Sequence, residues 1–343
     1  MAFFLTTFIS IFIFYFINEH IKNFNFLQNY KGEKHQKFSG LKNVPLSGGI
    51  FLTFLSILLF YPYNYIFSFF ILLIFSVGFA SDTNLLSSPK LRFIIQSILI
   101  IFFVLLLDIK IDKTNFIFLD ALLRNVYFKY FFSVFCLLIL INGSNFIDGL
   151  NGLMLGYFSL IIFLIFYLDL YIYLEIDKMF LNNFIIILVF LFILNINNKL
   201  FMGDSGSYVL GLICGYFLIR IHYSNPSISP YFIVLLLWYP CFENLFSILR
   251  KFIFKRSPAK ADDNHLHQLV FFYIRKKMGL KKLNPNNISS YLIILYNFFI
   301  FIIASSDPSN TQFQVILVII NILIYLVIYF KLFFFKYNTR FKI

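Results

Sequence analysis

Charge is scarce in this chain: of its 343 residues only 13% are Asp, Glu, Lys or Arg, against 60% hydrophobic. So little charge over that length excludes a disordered, solvated polymer and cannot coat an ordinary soluble surface. Cysteine is rarer still. Cys136, Cys214 and Cys241 each lie in an apolar run without partner spacing, which excludes a disulfide framework and a thiolate metal site. No period of the solenoid families appears, and no inverted repeat of the kind that many transporters carry. Met1 to Ile17 has neither a basic n-region nor a small-residue cleavage site, so it reads as a first helix rather than a signal peptide.

What the chain does have is apolar stretches along its whole length. They predict an all-α, polytopic helical bundle in a membrane, a single domain over 1–343. Eleven candidate helices fall at about 3–18, 47–62, 65–80, 92–107, 130–142, 152–172, 183–196, 206–221, 231–249, 288–304 and 311–333. The formal charge of +13 could suggest a nucleic-acid footprint, but its placement says otherwise. With the C-terminus inside, 22 of the 28 Lys and Arg fall in cytoplasmic loops or the tail, and 6 on the opposite side. That asymmetry predicts an N-out, C-in orientation. Anionic lipid then accounts for the charge without nucleic acid.

The same orientation gathers the polar motifs on one face, in cytoplasmic loops at about 22–47, 81–92, 142–151, 195–206 and 250–290. The fourth loop carries Phe201-Met202-Gly203-Asp204-Ser205-Gly206-Ser207. A carboxylate between glycines lets a bulky anion and a divalent cation approach the backbone. A tight turn between helices would use the same residues. The external loops 108–129 and 223–230, however, hold no comparable Asp-Gly-Asn cluster.

In the third loop Asn142, Asn145 and Asp148 are spaced three apart and would share one face of a helix end. Asp148 before Gly149 could instead be a cap at a helix break, although an acid at the membrane edge is by default a functional candidate. The fifth loop places Arg250 and further cations near Asp262, His265 and His267. His-x-His with Asp262 offers zinc too few ligands, and a phosphate suits cations and imidazoles better. Asp82, Asp148 and Asp204 together offer hard oxygens, as Mg²⁺-assisted phosphoryl transfer at a membrane surface requires.

In order and in five separate loops, from Pro45 to Gln268, the motifs resemble those of the polyprenyl-phosphate N-acetylhexosamine-1-phosphate transferases. This is glycosyltransferase family 4, relatives of phospho-N-acetylmuramoyl-pentapeptide transferase. The most specific pair is Phe-Met-Gly-Asp-Ser-Gly-Ser with Asn-x-x-Asn-x-x-Asp-Gly-Leu-x-Gly-Leu at 142–153. The resemblance implies an enzyme that moves an N-acetylaminosugar-1-phosphate from a UDP-aminosugar to undecaprenyl phosphate and releases UMP. It further implies a bacterial cytoplasmic membrane, an active site on the cytoplasmic side, and room for a homodimer.

Residue by residue, it makes Asp204 the Mg²⁺ ligand, with Asp148 assisting, and Phe201 the uracil-stacking ring. Asn145 would line the nucleotide site, and Asn151 stands where some members have an acidic uracil contact. His265 and His267 match the His motif near sugar and diphosphate. Arg250 matches its basic approach, and Lys90 and Arg92 match basic positions after the second-loop acids. Asp82 would orient the lipid phosphate or a cation. The acceptor phosphate oxygen would attack the sugar-bearing β-phosphorus in line.

Three departures stand out. Ser81 precedes Asp82 where the family has paired aspartates, the first of them a proposed base. A phosphate monoester with a second pKa of about 6 is already mostly dianionic at neutral pH, so no strong base is demanded. His265-Leu266-His267-Gln268 replaces three consecutive histidines of the peptidoglycan branch, which favours the aminosugar branch of O-antigen, teichoic-acid or capsule assembly. Before the heptapeptide, Asn195 and Asn197 both compete for the family's asparagine position. The rival readings are a UDP-MurNAc-pentapeptide donor, a non-catalytic lipid-binding relative, and a transporter. The last would want charges at mid-bilayer rather than at one face.

Overall fold

The computed structural model describes residues 2–23, 44–255, 263–277 and 284–340. Most of the first loop, and the part of the fifth that contains Asp262, lie outside the described residues. The described residues form helices and no strand. In order these are α1 (Ala2–Asn23), α2 (Gly48–Phe60), α3 (Tyr65–Asp82), α4 (Pro89–Leu106), α5 (Ile117–Leu122), α6 (Val126–Ile147) and α7 (Leu153–Tyr167). There follow α8 (Lys178–Ile196), α9 (Gly203–Ser224), α10 (Pro230–Leu236), α11 (Trp238–Ile253), α12 (Leu266–Lys277), α13 (Pro285–Ser305) and α14 (Thr311–Arg340).

Short polar residues set several starts. Asn64, Ser88, Asn125 and Asn284 each accept a hydrogen bond from an amide of the following first turn, and Pro89 and Pro285 sit where a missing N–H costs nothing. Among the described residues six helices, α3, α4, α6, α8, α13 and α14, are long and apolar enough to cross a bilayer; α10 and α11 make a seventh if counted as one broken span. This is a membrane protein. All eleven expected helices have helical counterparts, but among the described residues the crossings that length and apolarity support number six or seven, because α2 and α7 are short apolar helices and α9 is too polar.

The stretch 231–249, read above as one helix, is two. Pro240 has no N–H to give the Leu236 carbonyl, which would be its partner four residues back. The chain bends by 75° between α10 and α11, and the Tyr157 hydroxyl takes over that carbonyl at 2.8 Å. The bend inverts the usual amphipathic arrangement in α11. Glu243, Asn244, Ser247, Arg250 and Lys251 are buried, whereas Leu245, Ile248, Leu249 and Phe252 are exposed.

At the centre stands α9, which packs against α2, α3 and α6. Its Asp, Ser, Arg and His make it more polar than the spanning helices, yet most of its first sixteen residues are buried. Backbones approach closely there. A Cβ at Gly78 would strike the Ser205 main chain, and one at Gly49 would strike the Ser205 side chain.

Candidate active site

The site grows from the first turn of α9. The fourth-loop motif is not all loop: α9 begins at Gly203, within it. Gly203 takes φ +70°, and a Cβ on it would lie 2.6 Å from a carboxylate oxygen of Asp82. Glycine is therefore required both by conformation and by space. Asp82, the last residue of α3, accepts the Asp204 amide at 2.9 Å, the Ser205 amide at 3.1 Å and the Ser205 hydroxyl at 2.7 Å. The Gly203 amide serves Asp148. Three amides that a helix start leaves without intrahelical partners thus end on two carboxylates, at the positive end of the helix dipole.

That arrangement turns the Asp204 side chain to a different set of donors. Arg92 reaches Oδ2 at 2.6 Å, Ser81 donates its hydroxyl to the same oxygen, and Asn145 donates to Oδ1 at 2.6 Å. Arg92 also donates to Ser81, and Asn145 to the Ser207 hydroxyl at 3.2 Å. Asp204 and Arg92 keep about a quarter of their side-chain surface exposed, so the pair is accessible from outside. Asp148 lies at the C-terminal cap of α6. Burial, then the nearby charges of Asp204 and Asp82, raise its carboxyl well above the ordinary range, against the Gly203 amide.

Around this centre the other loops are tied down. The Phe201 amide donates to Pro45 at 2.9 Å and its carbonyl accepts from Gly48 at 3.0 Å, which fixes Phe201 to the first loop. Asn195 accepts the Gly152 amide at 2.5 Å and donates to Leu200 at 3.0 Å, bridging the third and fourth loops. Asn197 bonds only back into its own helix, at Ile193. Of the two, Asn195 is the one that joins the loops among the described residues. Asn151 is buried and joins Asn286 and Asn198.

The fifth loop meets the third through rings. His265 packs at 5.1 Å from Phe146 and stacks on His267 at 5.7 Å, and a Cβ at Gly149 would lie 2.5 Å from His267 Nε2. Behind them Arg250 is buried, its guanidinium on the Asn264 carbonyl and on the Tyr329 hydroxyl at 2.6 Å. Lys336 of α14 holds Asn264 at 2.8 Å and pairs with Asp263 at 3.3 Å.

Ser81, Asp82, Arg92, Asn145, Asp148 and Asp204 are thus brought together, with His265 and His267 against the third loop. Arg250 is placed as an internal brace, Asn151 in a buried asparagine cluster. Lys90 is exposed on the first turn of α4, and among the described residues no hydrogen bond or ion pair joins it to the cluster. Sequence reading missed Glu243, Asn264 and Asn286. A lone acid inside an apolar run was the available signal for Glu243.

Among the described residues no group of three or more His, Cys, Asp or Glu stands ready to enclose a metal ion. Two carboxylates at one helix end nevertheless match what Mg²⁺ takes when phosphates and water complete its shell, so Asp204 and Asp148 fit such a site and do not fit an all-protein cage.

Residues 64–222 match the model of Glycosyl transferase family 4. The family resemblance of the motifs is therefore shown over the segment from α3 to α9, which contains Asp82, Arg92, Asn145, Asp148 and Asp204. A search of curated proteins returns no match. The first loop, which holds Phe201, and the fifth loop, which carries His265 and His267, lie outside the family 4 segment and meet it through the contacts above. Over that segment the chain is similar to a family of transferases, and its apolar helices are those of a membrane protein.

Proposed function

We propose that this chain transfers an N-acetylaminosugar-1-phosphate from a UDP-aminosugar to undecaprenyl phosphate and releases UMP, at the cytoplasmic face of a bacterial membrane. One observation carries the reading beyond the family: side chains from α3, α4, α6 and α9, far apart in sequence, converge on the Asp204 carboxylate at the edge of a membrane bundle. Such a cluster of hard oxygens and one guanidinium suits a diphosphate. Asp204, with Asp148 beside it, would hold Mg²⁺, whose charge when bound offsets that of the donor diphosphate.

The remaining work belongs to the chain's own residues. Arg92 would face the phosphates from its place on Asp204. Phe201, its backbone pinned to Pro45 and Gly48, offers a fixed ring for the uracil. In α11 the exposed Leu245, Ile248, Leu249 and Phe252 suit a polyprenyl tail. Asp82, which accepts two α9 amides and the Ser205 hydroxyl, would position Asp204 as well as face the acceptor side.

The deciding experiment gives the purified chain undecaprenyl phosphate, Mg²⁺ and a panel of UDP-HexNAc donors and a UDP-MurNAc-pentapeptide, with lipid products read by mass. A polyprenyl-diphosphate aminosugar with stoichiometric UMP is the expected result. Asp204→Asn should insert normally and lose UMP release; normal turnover in that variant, or no product with any donor, refutes the assignment.

A further inference from the structure

Glu243 has no place in the transfer described so far, yet it is the most completely enclosed acid in the described part of the molecule, at 0% exposure. A hydroxyl and an amide donate to it, and an imidazole nitrogen faces it. His265 Nδ1 lies 2.9 Å from Oε1, the Tyr325 hydroxyl donates to Oε2 at 2.9 Å, and the Leu266 amide reaches both oxygens at 3.3 Å. Donors on both oxygens suit a carboxylate, and a buried carboxylate requires a partner of opposite charge or hydrogen bonds that satisfy it. The partner that can carry a positive charge is the His265 ring.

That ring is fixed on every side. The Gln268 side chain accepts the His265 amide at 3.1 Å, Phe146 packs against the ring, and His267 stacks on it. Tyr325 is itself stacked on Tyr329 at 5.9 Å, and Tyr329 holds Arg250. Two rungs, Glu243 with Tyr325 and Arg250 with Tyr329, therefore tie α11 to α14 behind the fifth loop.

We propose that Glu243 is a positioning residue that acts through His265: its carboxylate keeps the proton on Nδ1, sets the plane of the ring, and leaves ligand chemistry to Nε2. With the proton on Nδ1, Nε2 carries the lone pair, so it accepts a hydrogen bond or a proton in a fixed direction. The inference rests on the transferase reading for its consequence, but not for its geometry.

The test uses the full chain in detergent, labelled with ¹⁵N-histidine. A hydrogen-bonded Nδ1–H resonance that disappears in His265→Asn is assigned to His265. It is expected to move upfield in Glu243→Gln, where a neutral amide oxygen replaces the carboxylate. In turnover, Glu243→Gln should lower kcat for UMP release by about 10–100-fold, and should cause no further loss in a His265→Ala background. An equal fold-loss in both backgrounds would mean that Glu243 serves the fold alone and would overturn the proposal. So would an Nδ1–H resonance unchanged in Glu243→Gln. A wild-type chain that releases no UMP overturns the transferase reading instead, and the resonance then decides the Glu243 proposal by itself.

Discussion

Replacing Asp82 separates its work as a helix cap from any work on substrate. Its Oδ1 accepts one amide, and its Oδ2 accepts an amide and a hydroxyl. In Asp82→Ala the Ser205 hydroxyl can turn to the Met202 carbonyl, already 3.5 Å away, but the Asp204 and Ser205 amides are left in a buried site. An unsatisfied buried donor costs about 1–3 kcal/mol, so the loss should be about 3 kcal/mol, above the ~1 kcal/mol of an exposed cap. Asp82→Asn retains one acceptor. Its oxygen is best placed toward the two Ser205 donors, which sets its NH₂ against the Asp204 amide and sacrifices one bond, about 1–2 kcal/mol. Thermal unfolding of the purified chain in detergent should therefore rank wild type above Asn above Ala, with UMP release falling in the same order as the Asp204 turn loosens. An Ala variant with an unchanged unfolding midpoint and no turnover would refute the cap argument and return Asp82 to the substrate.

Gly203→Ala adds a left-handed penalty of about 1–2 kcal/mol to a clash with the Asp82 carboxylate, so it should lower both thermal midpoint and UMP release, whereas Gly149→Ala should instead disturb His267. Tyr157→Phe strands the Leu236 carbonyl at the α10–α11 bend; a loss of about 1–3 kcal/mol in unfolding is expected, with protection against hydrogen exchange weakened around residues 236–240 rather than in α9. Burial and the Asp204 and Asp82 charges raise the Asp148 carboxyl, so the folded chain holds that proton to higher pH than the unfolded chain. Metal-free stability then falls as pH rises above the ordinary carboxylate range, and Asp148→Asn should flatten that slope in pH-dependent unfolding.

The legible part of this molecule is what composition and spacing control. Apolar runs of helical length became helices, and the carboxylates and amides flanked by glycine came together because each closes or opens a helix at one face of the bundle. Three features escaped for local physical reasons. The bend at 237 depends on which carbonyl Pro240 leaves open and on Tyr157, 83 residues earlier, to take it. The start of α9 at Gly203 depends on Asp82 as a remote cap, a signal no local capping pattern contains. Helix α12 lies within a basic run that reads as a loop, and its N-terminus is held by Gln268 reaching back to His265.

The family 4 segment ends at 222, yet the site is not complete there, and the two parts are joined by geometry rather than by chain continuity. Asp148 and Gly149 belong to the matched segment, and His267 lies against Gly149. The rings of Phe146, His265 and His267 extend that contact outward to Glu243, and Tyr325 and Tyr329 extend it to α14. Any group held by Asp204 is thus bordered on one side by a helix start whose charges are fixed, and on the other by a histidine pair whose orientation depends on α11 and α14. If the fixed side grips the diphosphate and uridine, the features that distinguish one sugar from another have only the second side to act on. Donor choice should then shift with substitutions around His265 and His267 while UMP release from the accepted donor still depends on Asp204, an outcome that the donor panel run on fifth-loop variants measures directly.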